Sequence, residues 1–225
     1  MADWQAHKCE LLACRRCPRL VEWRERMAHE KRAAYRNWEY WGKPVPAFGD
    51  EQARLLILGL APGAHGSNRT GRMFTGDSSG EFLYAALQRA GFANQSHTDQ
   101  IDDGLKLMDA IISAVGRCAP PDNKPTPEEL RNCRPWLLAE LELLPGLEGI
   151  VALGKIAFDA VWQIYGSRSS LKEHPVFGHG AFYELGVGLP WLLASYHPSR
   201  QNTQTGRLTV DMFDQIWLMA KNLLR

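Results

Sequence analysis

The sequence predicts an α/β fold, a three-layer α/β/α sandwich with a mainly parallel four-stranded central sheet. Three observations carry this. Four short apolar runs, "ARLLILGL", "DAIISAV", "GIVALG" and "LPWLLASY", have the length and composition of buried strands. Helical patterns lie between them, and strands that alternate with helices feed a parallel sheet covered on both faces. Three of the runs open into loops rich in glycine, proline and polar residues, over 59–77, 116–125 and 197–207.

In chain order, residues 1–45 mix Trp, Leu and Arg in a helical reading that ends near Lys43, Pro44, Val45 and Pro46. The run "ARLLILGL" follows, closed by a Pro-Gly loop. Ser78-x-x-Glu81 reads as a capping box ahead of "FLYAALQRAGF", a helix that stops at Gly91. "DAIISAV" is the second strand and leads into "GRCAPPDNKP". Thr126, Pro127, Glu128 and Glu129 then give a cap, a first-turn proline and acids in the order a helix start requires. Leu130, Cys133, Leu137, Leu138, Leu141 and Leu144 recur behind them at helical spacing. "GIVALG" is the third strand and "KIAFDAVWQIYG" the helix after it. "LPWLLASY" is the fourth strand, broken by His197 and Pro198, and a last amphipathic helix runs from about Val210 to Leu224. No repeat, low-complexity tract or linker interrupts the chain, so residues 1–225 are expected to form one domain.

Length and composition are those of an ordinary water-soluble domain: 225 residues, 45% hydrophobic and 23% charged. No apolar run reaches membrane-spanning length and no leader pattern is present, so a cytoplasmic monomer with no membrane partner is expected. The net charge of +1 argues against a cationic surface overall, although residues 1–45 hold ten Lys/Arg against six acids. Five cysteines in a reducing compartment are not expected to form disulfides. Cys14 and Cys17 make a Cys-x-x-Cys, Cys118 and Cys133 lie far downstream, and Cys9 is left over.

In parallel sheets the site lies in loops leaving the carboxyl ends of the strands, so the three polar loops should meet. The first, "GLAPGAHGSNRTGRMFTGD", has the glycines of a phosphate cradle, with Arg69 and Arg72 at hand for an anion. It lacks the lysine and hydroxyl of a nucleotide triphosphatase, which makes a polymer phosphate the better fit. The third loop, "SYHPSRQNTQTGRLT", sets His197 beside Ser199, Arg200 and Asn202, donors suited to sugar and phosphate oxygens. The middle loop offers Asn123, whose amide can pair with a base edge and can equally serve a turn.

With these residues in view, the sequence resembles the iron–sulfur branch of the uracil-DNA glycosylase superfamily, known as family 5. The resemblance runs through "CRRCPRLVEWRE", "GLAPGAHGSNRTGRMFTGD", "RCAPPDNKPTPEEL", "VALGKIA" and "SYHPSRQNTQTGRLT", in that order. It implies a helix-sandwiched sheet and a 4Fe-4S cluster on Cys14, Cys17, Cys118 and Cys133. Four thiolates can also take zinc by ligand count, and that alternative stays open. It also implies base excision repair of DNA: flipping of a deaminated nucleotide and hydrolysis of its N-glycosidic bond, with uracil, hypoxanthine and possibly xanthine as substrates.

The implied roles are specific. His197 donates to the base oxygen on which negative charge accumulates. Phe74, Asn123, Gly59, Ala61 and Gly63 surround the base. His65, Arg69, Ser199, Arg200, Asn202 and Arg207 contact the DNA. Leu60 and Ala61 occupy slots where better-known members of the superfamily carry a polar residue, so Asp77 becomes the candidate for positioning water. Its alternative role is to cap the helix that starts near Ser78.

Overall fold

The four apolar runs are strands because each is short, dominated by aliphatic residues, and buried along all or nearly all of its length. In the computed structural model, which describes residues 3–224, they are β2 (Leu55–Gly59), β3 (Ala110–Ala114), β4 (Gly149–Leu153) and β6 (Trp191–Ser195). Met1, Ala2 and Arg225, at the ends of the expected domain, lie outside the described residues. Two further strands of two residues each flank this set: β1 (Phe48–Gly49) pairs antiparallel with β3, and β5 (Phe182–Tyr183) antiparallel with β6. The sheet is therefore six-stranded and mixed, in the order β1-β3-β2-β4-β6-β5. That corrects the expectation of four strands, while the parallel core stands in the register Leu55↔Ala110, Leu55↔Gly149 and Gly149↔Trp191.

Side chains alternate across each strand, so the two faces carry different residues of the same run. Leu55, Ile57, Ile112, Val151 and Leu193 point to one core, closed by α4 (Ser78–Ala90) and α8 (Val210–Leu223). Leu56, Leu58, Ile111, Ile150, Ala152 and Leu192 point to the other, closed by α5 (Pro127–Glu142) and α6 (Lys155–Tyr165). Helices on both faces of the sheet make the predicted three-layer sandwich.

Helix starts follow their local chemistry, with one correction. The Thr126–Glu129 capping box of α5 forms in full, each side chain bonding the other's backbone N–H. The cap of α4 is Asp77 rather than Ser78: its Oδ1 accepts from the Ser79 and Gly80 amides. Along α5 the expected stripe is only partly right. Leu137 is buried, but Leu138 is exposed, and the buried face also holds Glu129, Trp136 and Glu140. Glu140 is tolerated there because Arg117, Ser113 and His7 all bond its carboxylate, which stays low in pKa beside the Arg117 guanidinium despite its burial.

The N-terminal region is two helices, α1 (Trp4–Leu12) and α2 (Pro18–Glu30), then an irregular segment with a 3-10 turn at Ala33–Tyr35. No helix among the described residues is long and apolar enough to cross a membrane.

Candidate active site

β2 is neighboured by β3 on one side and β4 on the other, and the connections leaving β2 and β4 run in opposite directions along the sheet. Such a reversal opens a crevice at the carboxyl edge. A cleft of about 940 Å³ occupies it, lined by Gly59, Ala61, Gly63 and His65 after β2, Asn123 after β3, and His197, Ser199 and Arg200 after β6. Thus the three polar loops meet, and Asn123 and His197 share one cavity.

Two short helices shape the rims: α3 (Ser67–Thr70) within the first loop and α7 (Arg200–Gln204) within the third. Ser199 caps α7, its Oγ accepting from the Asn202 amide at 3.4 Å. His197 follows β6 directly. The side chain of Asn202 donates to the His197 carbonyl at 2.8 Å, which fixes the backbone that carries the imidazole. Burial alone drives the His197 pKa down to about 4, so the ring is neutral at physiological pH. A neutral imidazole keeps one N–H to donate.

Phe74 lies against that ring, with centroids 5.7 Å apart and planes 29° from parallel. The Phe74 backbone is left-handed, φ 52°, a conformation that costs a bulky residue about 1–3 kcal/mol. Neighbouring glycines accommodate it. A Cβ on Gly59 would meet the Phe74 ring at 3.0 Å, and one on Gly80 would meet the Phe74 carbonyl oxygen at 1.7 Å. Asn123 is held in the same way. It ends the 3-10 turn Pro121–Asn123 with φ 56°, behind Asp122 at φ 52°. Its side chain is exposed and makes no hydrogen bond among the described residues, so its amide is free for a ligand.

Asp77 serves both of its candidate roles with different oxygens. Oδ1 caps α4, while Oδ2 stands over the glycine turn, where a Cβ on Gly63 or Gly66 would come within 3.2 or 2.2 Å of it. Burial raises the Asp77 pKa, opposed by the two capping amides. Among the described residues, Asp77 is the only carboxylate that lines the cleft.

Four residues expected to meet an anion or the DNA do not line the cleft. Arg69 is 4% exposed: its guanidinium is sandwiched 4.0 Å from the Tyr35 ring and 4.1 Å from the Trp38 ring, and it donates to the carbonyls of His65 and Gly76. Arg72 is also withdrawn, paired with Asp103 and bonded to Thr75 and Thr98. Asn202 braces His197 rather than facing the cleft, and Arg207 lies over the Tyr196 ring at 4.7 Å. Conversely, Arg32, Tyr35 and Gln201 line the cleft and were missed. Gln201 lay within an assigned loop, but nothing local in the sequence distinguishes Arg32 and Tyr35 from a solvated helix face.

The remaining cysteines converge away from this cleft. Cys14, Cys17, Cys118 and Cys133 line one apolar cavity with Leu11, Leu20, Val21 and Trp136. N–H groups point at three of the sulfurs: Arg24 Nη1 to Cys118 at 2.9 Å, the Arg117 amide to Cys133 at 3.2 Å, and Asn132 Nδ2 to Cys17 at 3.8 Å. Burial pushes the Cys133 thiol up to about 12 and also raises Cys118 and Cys17. Cys9 is exposed on α1, where Gln5 donates to its sulfur, and takes no part. Among the described residues, no three of His, Cys, Asp and Glu stand close enough to hold one metal ion. Four thiols around one apolar cavity, with N–H groups aimed at three of the sulfurs, are a donor set that fits a multi-iron group and, by ligand count, zinc as well.

The cleft and the sheet that carries it agree with the family comparison. Residues 46–221 match the model of the uracil DNA glycosylase superfamily, and the chain belongs to that superfamily. Within it, the chain is 55% identical to the type-5 uracil-DNA glycosylase of Thermus thermophilus over 221 residues, 98% of either chain. It is 53% identical over 220 residues to the type-5 uracil-DNA glycosylase of Mycobacterium bovis, spanning 96% of this chain and 81% of the relative. The type-5 enzyme of Pyrobaculum aerophilum is 44% identical over 206 residues, 92% and 87% of the two chains.

Proposed function

We propose that this chain excises uracil from DNA, flipping the nucleotide into the cleft and hydrolysing the bond between base and deoxyribose. The observation that carries this reading is the meeting of Phe74 and Asp77 from the first loop, Asn123 from the second and His197 from the third in one cleft. Type-5 uracil-DNA glycosylases of near-full-length similarity support it.

The chemistry follows from the groups present. A flipped base stacks on the Phe74 ring, and the free amide of Asn123 pairs with its edge. As the C1′–N bond breaks, its electron pair leaves with the base. The neutral His197 donates a hydrogen bond to the base oxygen that gathers this charge, a preorganised stabilisation that needs no proton transfer. Oδ2 of Asp77 orients a water whose oxygen bonds to C1′, and the carboxylate takes up the released proton. The same negative charge steadies the cationic sugar.

The substrate range extends to hypoxanthine and, on this reading, to xanthine. Discrimination requires polar groups that the wrong base leaves unpaired. Around the base the cleft offers Leu60, Ala61 and glycines, with the Asn123 amide to pair with its edge and the exposed Gln201 amide at the rim. The four thiols hold a 4Fe-4S cluster, whose contribution is structural: it ties the N-terminal helices to the loop and helix that carry Cys118 and Cys133.

The test is incubation of the protein with a uracil-containing duplex, then alkali. Strand breakage at the uracil is expected. An intact strand sinks the proposal, and breakage at uracil alone, with hypoxanthine duplexes untouched, sinks the broader range.

A further inference from the structure

The cleft has a wall that the three strand-end loops do not supply. Arg32 and Tyr35, from the irregular segment after α2, line it beside His65. This segment is fastened to the first loop at several points. The Trp41 amide donates to the Arg69 carbonyl at 2.9 Å, and the Gly42 amide to the Asn68 carbonyl at 3.1 Å. Arg69 itself is clasped between Tyr35 and Trp38, and the Tyr40 hydroxyl meets His65 Nδ1 at 3.2 Å. The segment is therefore a fixed part of the cleft.

What it presents there is a free cation. Most arginines with a carboxylate in reach are committed: Arg15 to Glu25, Arg19 to Glu129, Arg54 to Asp109, Arg72 to Asp103, Arg89 to Asp214 and Arg117 to Glu140. Arg32 is exposed, and among the described residues its guanidinium makes no ion pair or hydrogen bond. Arg200 is the other cleft-lining arginine and is likewise unpaired. Close by, burial followed by the charges of Arg32 and Arg69 lowers the pKa of His65. In a chain of net charge +1, two unpaired guanidinium groups at one cleft concentrate positive potential where an anionic polymer would enter.

We propose that Arg32 is a phosphate-binding residue of this cleft, the cation that the buried Arg69 cannot be, held in place by the stack of Tyr35, Arg69 and Trp38. The inference rests on the reading of the cleft as a DNA site. Its measure is salt dependence, because each phosphate neutralised adds about 0.9 to the slope of log K against log salt.

The experiment compares the full-length protein with Arg32→Ala and Arg32→Lys, titrated against a short duplex without uracil across a range of salt concentrations. The expected result is a slope smaller by about one for Arg32→Ala, weaker binding at every salt, and a slope kept by Arg32→Lys. A slope unchanged in Arg32→Ala, or a loss shared equally by Arg32→Lys, overturns the inference. Wild-type protein that binds the duplex but never excises uracil overturns the proposed function and leaves this contact standing. Wild-type protein that fails to bind this duplex yet breaks the strand at uracil overturns the Arg32 contact and leaves the proposed function standing.

Discussion

In the proposed reaction His197 acts through a single donated hydrogen bond, so its removal has a predictable size. Loss of one preorganised donor to a developing anion costs about 10²–10³ in rate, and His197→Ala should lower single-turnover excision by that factor. The folded pKa of about 4 also gives the residue a stability signature. The unfolded imidazole binds its proton near pH ~6.5, whereas the folded one refuses it until about 4. Between those values the unfolded state holds more protons, so stability falls as pH falls through the window. Urea midpoints should therefore decline from pH 6.5 towards 4, and less steeply in His197→Asn; equal slopes would show that His197 is not held neutral. Asp77 is dissected by a different pair. Asparagine caps a helix about as well as aspartate, whereas alanine loses about 1 kcal/mol. Asp77→Asn should keep the thermal midpoint and lose excision rate, and Asp77→Ala should lose both. An Asp77→Asn enzyme of full activity would leave the carboxylate a cap and nothing more.

At the level of elements, α4 is bound to the glycine-rich loop after β2 more tightly than its sequence suggests. Gly80 lies in its first turn, where alanine is favoured over glycine by about 1 kcal/mol on helix propensity. Its Cβ would nevertheless fall 1.7 Å from the Phe74 carbonyl oxygen, a backbone atom with nowhere cheap to go. Overpacking of this kind costs about 1–3 kcal/mol, so Gly80→Ala should lower the melting temperature and displace Phe74. A raised melting temperature would mean that propensity wins and the loop yields. The same scale shows what was legible in advance. The four core strands were readable because each is an apolar run between turn residues, and the α5 cap because its residues are adjacent in sequence. The edge strands β1 and β5, two residues each, carry no periodicity to read. His197, Asn123, Asp77 and Phe74 reach one cleft because strand ends in a parallel sheet share an edge, a rule of topology the pattern already contained. Arg69 was misplaced because burial here is decided by Tyr35 and Trp38, which lie far away in sequence and were hidden within a helical reading of residues 1–45.

Across the whole molecule, the cysteine cavity and the cleft are joined through Arg24. This residue is 2% exposed; its guanidinium donates to the Cys118 sulfur and to the Cys14 carbonyl, while its own carbonyl accepts from the buried side chain of Asn68 in α3. One side chain thus touches the cysteine site at both its N-terminal and its central part, and its backbone touches the catalytic loop. Otherwise α1 and α2 pack chiefly on α5 and α3, with His7 bonded to Glu140 and Arg19 paired with Glu129. If the thiols hold a cluster, removing it leaves four half-buried sulfurs unpartnered and takes from the buried Arg24 guanidinium the anionic group that its Nη1 faces, and a buried cation that loses such a neighbour is costly. The N-terminal helices should then open locally at a free energy well below that of the sheet. Cluster-loaded protein should show visible absorbance and slow amide exchange through α2. After oxidative removal of the iron, or in Cys14→Ser, exchange should quicken in α1, α2 and the segment bearing Arg32, while β2, β3, β4 and β6 stay protected. Protein purified without iron that shows the slow exchange of the loaded form through α2 would mean that packing alone holds the N-terminus, and that the thiols do not staple it.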